Sequence, residues 1–166
     1  MSLLTRLTVP NLLAARVLNS AQPLFALLLR SYVSWQFLKS GWLKVSSWET
    51  TLWLFENEYR TPLLPPMSAA VLGVLGELVF PALLIVGFAS RLSATGLFAV
   101  NVLAVVSYAH VLLMEGMEAA FAQHVLWGFM LLTVAVYGPG KLSLDQMLGR
   151  RRSRGVAEGQ AAPLAI

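Results

Sequence analysis

The sequence predicts an all-α integral membrane protein, a four-helix bundle with both chain termini in the cytoplasm. Hydrophobic residues make up 57% of the chain and charged residues only 12%, whereas a soluble domain carries about 25% charged residues. Two intervals without any formal charge are long enough to span a bilayer. Period-two alternation is absent, so a closed β-barrel is not expected. These observations exclude a soluble multi-domain protein and a large extramembrane enzyme domain.

The chain is expected to begin with an amphipathic segment, residues 1–22, that lies on the membrane surface. Leucine and valine recur there near helical spacing, and Arg6, Pro10 and Arg16 interrupt them. An arginine within the apolar part argues against a cleaved signal peptide.

Residues 23–145 are expected to form a membrane domain of four spans. The third and fourth spans follow from the uncharged intervals. The first two contain charged residues but have turn-like flanks, Gly41 after the first and Pro65-Pro66 before the second. We predict spans at about 23–43, 67–89, 92–114 and 119–138.

The basic residues predict the orientation. With four spans, Arg6, Arg16, Arg91, Lys141 and the tail arginines fall on one side, and most glutamates on the other. The positive-inside rule then places both termini in the cytoplasm of a bacterial inner membrane. The basic tail, residues 146–166, is predicted to be disordered and to meet anionic lipid, so nucleic acid is not expected as a partner.

One set of polar residues is predicted within the inner half of the membrane. Arg30 lies on a stripe of the first span that must face the bundle, and Glu77 lies among small residues of the second. Their depths, counted from the inner span ends, predict an Arg30–Glu77 pair, with Asn101 at the depth of Glu77. Two interpretations stay open: a structural clamp between helices, or a proton-handling or quinone head-group site.

A second polar set is predicted near the outer surface. His110 and His124 lie at matching depths on the third and fourth spans, and Lys39 and Glu115 are close to them. These residues are interpreted as structural histidines, a quinone or proton site, or a weak metal or haem site. His110 points away from Asn101, nine residues earlier on the same helix. Without cysteine, no thiolate ligand or nucleophile is available.

Three segments, taken in order and spacing, resemble the DoxX family over about residues 24–148. They are LLR at 28–30 followed by SGWLK at 40–44, GVLGEL at 73–78 before SRL at 90–92, and GPGKLSLD at 138–145. The sequence departs from the family pattern at Ser40, where a histidine is expected, and at the additional Lys39. The missing histidine weakens the haem and metal interpretations.

The resemblance implies a four-helix inner-membrane protein found beside redox or stress-response proteins. Relatives include the small membrane subunit of thiosulfate:quinone oxidoreductase and a membrane component of a complex that counters oxidative stress. The leading hypothesis is therefore an accessory membrane subunit of a redox complex that meets quinone between its spans, with Arg30, Glu77 and Asn101 at the site. It is not expected to act as a stand-alone enzyme, because no electron-donor group is evident.

Two alternatives belong to other classes of function. One is a non-enzymatic anchor or scaffold for a soluble partner. The other is a metal-handling protein that uses His110, His124 and Glu115. In each case a protein partner or a second copy of the chain is expected. Quinone is the favoured small molecule, ahead of haem or metal.

Overall fold

The structure is a computed structural model that describes residues 3–149, with the side chains of residue 12 and of residues 14–149. Over these residues it is helical and without strands, which confirms the all-α prediction. The tail arginines and most side chains of the expected amphipathic segment lie outside the described part.

The helices follow one another with short connections. Their bounds are α1 Leu3–Ser46, α2 Trp48–Asn57, α3 Pro66–Val86, α4 Ser90–Ser107, α5 Ala109–Leu112 and α6 Glu118–Tyr137. A last helical segment, α7, begins at residue 144 and continues to the end of the described residues.

Three of these helices, α3, α4 and α6, are long and apolar enough to cross a membrane. The first expected span, at about 23–43, lies in the second half of α1, which is one continuous helix of 44 residues that also contains the segment before it. The third expected span extended to residue 114, whereas α4 ends at Ser107. The backbone N–H of Arg60 donates to the carbonyl of Ser107 at 2.8 Å, and the chain then turns through the short α5.

The four long helices pack against one another in pairs. Helix α1 contacts α3 and α6, and α4 contacts the same two helices. The core between them consists of buried apolar side chains from all four: Val33, Phe37, Leu84, Ala94, Leu97, Leu131 and Val134. Close approach of α1 and α3 requires Gly41, because a Cβ there would lie 2.9 Å from Leu78 Cδ2 and 3.1 Å from Glu77 Cβ.

The turn between α3 and α4 is built on Gly87. Its φ of 77° is left-handed, and its N–H and that of Phe88 bond back to carbonyls of the last turn of α3, as in a Schellman cap. Ala89 also has a positive φ, 45°, and α4 begins directly after it. The chain therefore reverses within three residues.

Residues 138–145, here the closing segment, dock against this turn. The backbone N–H of Asp145 donates to the carbonyl of Gly87 at 2.9 Å. In return, the Asp145 carboxylate accepts hydrogen bonds from the N–H groups of Ala89 and Ser90, each at 2.8 Å. An aspartate from a distant part of the sequence thus caps the N-terminus of α4.

Arg30 lies beneath the closing segment and is 2% exposed. Its Nη1 donates to the carbonyl of Pro139 at 3.1 Å, and its Nη2 donates to the carbonyl of Leu142. Two backbone carbonyls after α6 are thereby satisfied by a side chain of α1. We call this end of the molecule, formed by the α3–α4 turn, the closing segment and Arg30, the turn end.

A methyl group at Gly87 should disrupt the turn end. Its Cβ would lie 2.6 Å from Ser143 Cβ and 2.7 Å from Arg30 Nη1, in a backbone conformation that disfavours side chains. We expect Gly87→Ala to lower the free energy of unfolding by about 3 kcal/mol or more. Gly116→Ala is the matched control, because its φ is 88° and nothing lies within 4 Å; it should lose only about 1 kcal/mol. Thermal unfolding in detergent measures both, and equal losses would contradict the proposed clash.

The Asp145 cap should make stability depend on pH. Burial acts to raise the pKa of Asp145, but hydrogen bonds from Ser90 and Ala89 outweigh it, and the pKa is lowered. A carboxylate with a lowered pKa stabilises the fold above its unfolded pKa of about 3.9, and this stability is lost as pH falls through the lowered value.

Asp145→Asn should therefore lower stability by about 1 kcal/mol at neutral pH. The difference from wild type should shrink below about pH 4. Melting temperatures at neutral and acidic pH test this, with the exposed Glu56→Gln as the control. A difference that is constant with pH would show that the carboxylate charge does not matter.

Candidate functional site

A cavity of about 490 Å³ lies between α2, α3 and α4, at the end of the molecule opposite the turn end. Two residues of α1 and one each of α5 and α6 complete it, and α2 contributes one residue, Phe55. Most of the lining is apolar and comes from α3 and α4, and the polar side chains are Ser40, Lys44, Tyr59, Thr61, Glu77, Ser107, Tyr108 and His124.

An ion pair between Lys44 and Glu77 forms the polar centre of the cavity. The Lys44 Nζ lies 2.6 Å from both carboxylate oxygens of Glu77, and it donates to Ser40 Oγ at 2.9 Å. The two side chains are 20% and 8% exposed. The three acceptors match the three N–H donors of the ammonium group. One positive and one negative group make the pair neutral as a unit.

Helix packing brings the two charges together. Gly41 allows α1 to approach α3 beside Glu77, and Lys44 is one turn further along the same face of α1. Pro81 lies one turn after Glu77 and has no N–H, so the Glu77 carbonyl cannot receive its usual helical hydrogen bond. The site therefore combines a carboxylate, an ammonium group and a weakened helix turn.

Aromatic rings close the α2 end of the cavity. Tyr59 stacks edge-on against Phe55 at 4.8 Å and against Tyr108 at 5.2 Å between ring centroids. Burial raises the pKa of the Tyr59 hydroxyl, and the nearby Tyr108, Glu77 and Glu58 raise it further. The hydroxyl therefore stays protonated at neutral pH and is a hydrogen-bond donor within the cavity.

Asn101 and His124 form a second polar contact beside the cavity. Asn101 Nδ2 donates to the His124 carbonyl at 2.9 Å, and its Oδ1 lies 2.8 Å from His124 Nδ1. Asn101 is 3% exposed, and the His124 ring packs edge-on against Trp127 at 5.0 Å. The Asn101 contacts fix the orientation of the imidazole, whose other edge lines the cavity.

The predicted Arg30–Glu77 pair is wrong. Arg30 bonds to the closing segment and lies beside Gly87, while Glu77 bonds to Lys44. Gly87 is ten residues from Glu77, which is about 15 Å along α3. The prediction counted depth from residue 23 as the inner end of the span, whereas α1 continues through that point as one helix.

The outer set is not assembled around His110 and His124. The His110 ring contacts Tyr108 at 5.6 Å, and His124 bonds to Asn101, which the prediction had placed with the inner set. Lys39 and Glu115 are both exposed, and neither of them lines the cavity. Within residues 3–149, no group of three or more His, Cys, Asp or Glu side chains is arranged to hold a metal ion.

Three residues of the site were not predicted as site residues: Lys44, Tyr59 and Tyr108. Lys44 was already on the polar stripe of the first span, so its position on the helix face was available from the sequence. Its partner was not, because the register of α1 against α3 depends on the close packing at Gly41. Tyr59 lies outside the expected spans, and Tyr108 lies within the expected third span but at the end of α4 in the structure.

Two comparisons with known proteins find relatives of this chain. The sequence profile of the DoxX family matches residues 25–111, which include α1 from its middle, α2, α3 and α4. A protein of Haemophilus influenzae described as uncharacterized is 30% identical over 129 residues, which cover 74% of this chain and 82% of that protein. No solved structure matches the chain significantly.

Removing only the ammonium group of the ion pair should be costly. Lys44→Met leaves the Glu77 carboxylate buried without its partner, and we expect a loss of about 3–5 kcal/mol in the free energy of unfolding. The double variant Lys44→Met/Glu77→Leu should recover most of this loss, because no charge is left buried. Thermal unfolding in detergent measures the three proteins. If the double variant is as unstable as the single one, the loss comes from packing and not from the charge.

Proposed function

The chain belongs to the DoxX family, and on that premise we propose that it is the membrane subunit of a quinone-linked redox complex. The quinone binds in the cavity, with its head group beside Lys44 and Glu77. The observation that carries this proposal is a neutral ion pair that faces an apolar cavity between helices of membrane-spanning character.

The chemistry of the lining supports a neutral ligand with hydrogen-bond acceptors. Because Glu77 already compensates Lys44, the cavity offers no free charge to a charged ligand. The hydroxyls of Tyr59 and Tyr108 can donate hydrogen bonds to carbonyl oxygens of the ligand. Lys44 can also donate one if it exchanges a present acceptor for the ligand. A quinone head group presents two such acceptors on a flat, apolar ring.

The redox step needs a second protein. Conversion of a quinone to a quinol takes up two electrons and two protons. The electrons come from a reduced cofactor of a partner subunit, and the protons come from water at the α2 end. Lys44 supplies a proton to the quinone oxygen as negative charge develops, and Glu77 holds the ammonium group in position.

We also propose the topology expected from the sequence. The second half of α1 is the first of four spans, and α3, α4 and α6 are the other three. This assignment is supported by the packing of α1 against α3 and α6. Arg91 and Lys141 both lie at the turn end, which is then cytoplasmic by the positive-inside rule. Both termini are cytoplasmic in this arrangement, and the cavity lies in the outer half of a bacterial inner membrane.

Native mass spectrometry of the full chain, extracted in mild detergent and mixed with a membrane quinone, tests the ligand. We expect wild type to carry one quinone and Lys44→Met/Glu77→Leu to carry none, although the double variant folds. Glu115→Gln, which changes an exposed glutamate away from the cavity, is the matched control and should bind as wild type does. Tyr59→Phe should weaken binding about fivefold, as for one lost hydrogen bond.

Two results would overturn the proposal. One is equal binding by wild type and the double variant, which would place the quinone elsewhere. The other is no quinone bound to wild type at any concentration. A stoichiometric partner protein on a chain that binds no quinone would favour the anchor hypothesis instead.

A further inference from the structure

We infer that the cavity admits its ligand sideways from the lipid, through a gap between α3 and α4, and that the ligand is a molecule with a long apolar tail. The inference rests on the proposed function, because it takes the cavity as the ligand site. It adds the class of ligand, the route of entry and the residues that select for the tail.

The cavity is long in the direction of the helices. Along α3 the lining residues run from Ala69 to Phe80, a distance of about 16 Å along the helix. On α4 the lining runs from Gly96 to Ser107. The cavity is therefore a groove between two antiparallel helices, longer than one aromatic ring.

One wall of this groove is also the outer surface of the molecule. Leu72 lines the cavity and is 55% exposed, and Ala99 lines it and is exposed as well. Both belong to helices of membrane-spanning character, several residues from the helix ends. The exposed side of the wall therefore faces hydrocarbon, and only single side chains separate it from the cavity.

Small residues keep this wall open. Gly73 and Ala99 line the groove near the level of Glu77. At this level Val100 of α4 packs against Gly76 of α3. A Cβ at Gly73 would lie at ordinary contact distance, 3.6 Å, from Phe55 Cζ of α2. Near the turn end the groove is closed, because the Phe80 ring covers Gly96.

The ion pair of Lys44 and Glu77 can contact only the head group of such a ligand. Among the described residues that line the cavity, Lys44 and Glu77 alone carry formal charge, and they neutralise each other. Most of the remaining lining is apolar, and this part stabilises an uncharged chain by burial. A ligand that consists of a polar head group alone would leave most of the groove unused. A head group on an isoprenoid tail uses both parts.

Binding of two quinones to the full-length protein in detergent tests the inference. One quinone carries a single isoprenoid unit and the other the full tail of a membrane quinone. We expect Ala99→Leu to fill the gap and weaken binding of the long-tailed quinone about tenfold, while the short-tailed quinone changes less than twofold.

Ala82→Leu is the matched control, because Ala82 is exposed on α3 and does not line the cavity. It should leave both affinities unchanged. Equal weakening of both quinones by Ala99→Leu would overturn the inference and leave the proposed function standing. An equal loss of the long-tailed quinone in Ala82→Leu would also overturn it. Absence of binding by both quinones in wild type would remove the proposed function itself.

Discussion

The arrangement of the helices depends on where the buried guanidinium of Arg30 finds its partners. A guanidinium group that is 2% exposed is costly unless acceptors surround it. The carbonyls of Pro139 and Leu142 are these acceptors, and they are available only if the chain after α6 folds back across α1. The same segment caps α4 through Asp145. One side chain of α1 therefore ties together the ends of α3, α4 and α6.

The contacts at the turn end also set the register of α1 against α3 at the cavity. Arg30 and Lys44 are fourteen residues apart on one helix, close to four full turns, so both face the interior and lie about 21 Å apart. With Arg30 held beside Gly87, close packing at Gly41 brings Lys44 to Glu77. The two cations of the α1 stripe thus have separate partners. One binds backbone carbonyls at the turn end, and the other binds a carboxylate in the cavity.

The sequence was sufficient for the helix class and for the inward face of α1, because apolar composition and helical spacing are local properties. The sequence was not sufficient for the depth of each residue along the bundle, because that depth depends on where the helices end. With the third span drawn to residue 114, His124 was matched in depth to His110. In the structure α4 ends at Ser107, six residues after Asn101, and His124 is six residues into α6. The two therefore meet across antiparallel helices, and the hydrogen bond of Arg60 to Ser107 that ends α4 is not encoded in any periodicity.

Arg30 and Lys44 have different kinds of partner, and this difference helps to distinguish a structural from a binding role for Lys44 and Glu77. A buried ion pair contributes little net stability, because apolar residues of similar volume often serve as well. A clamp between helices is already present at Arg30, where the acceptors are backbone groups and no carboxylate is needed. Lys44 and Glu77 join the packed helices α1 and α3, but they also line a cavity of about 490 Å³. The position of a neutral ion pair beside a largely apolar cavity favours a binding role over a purely structural one.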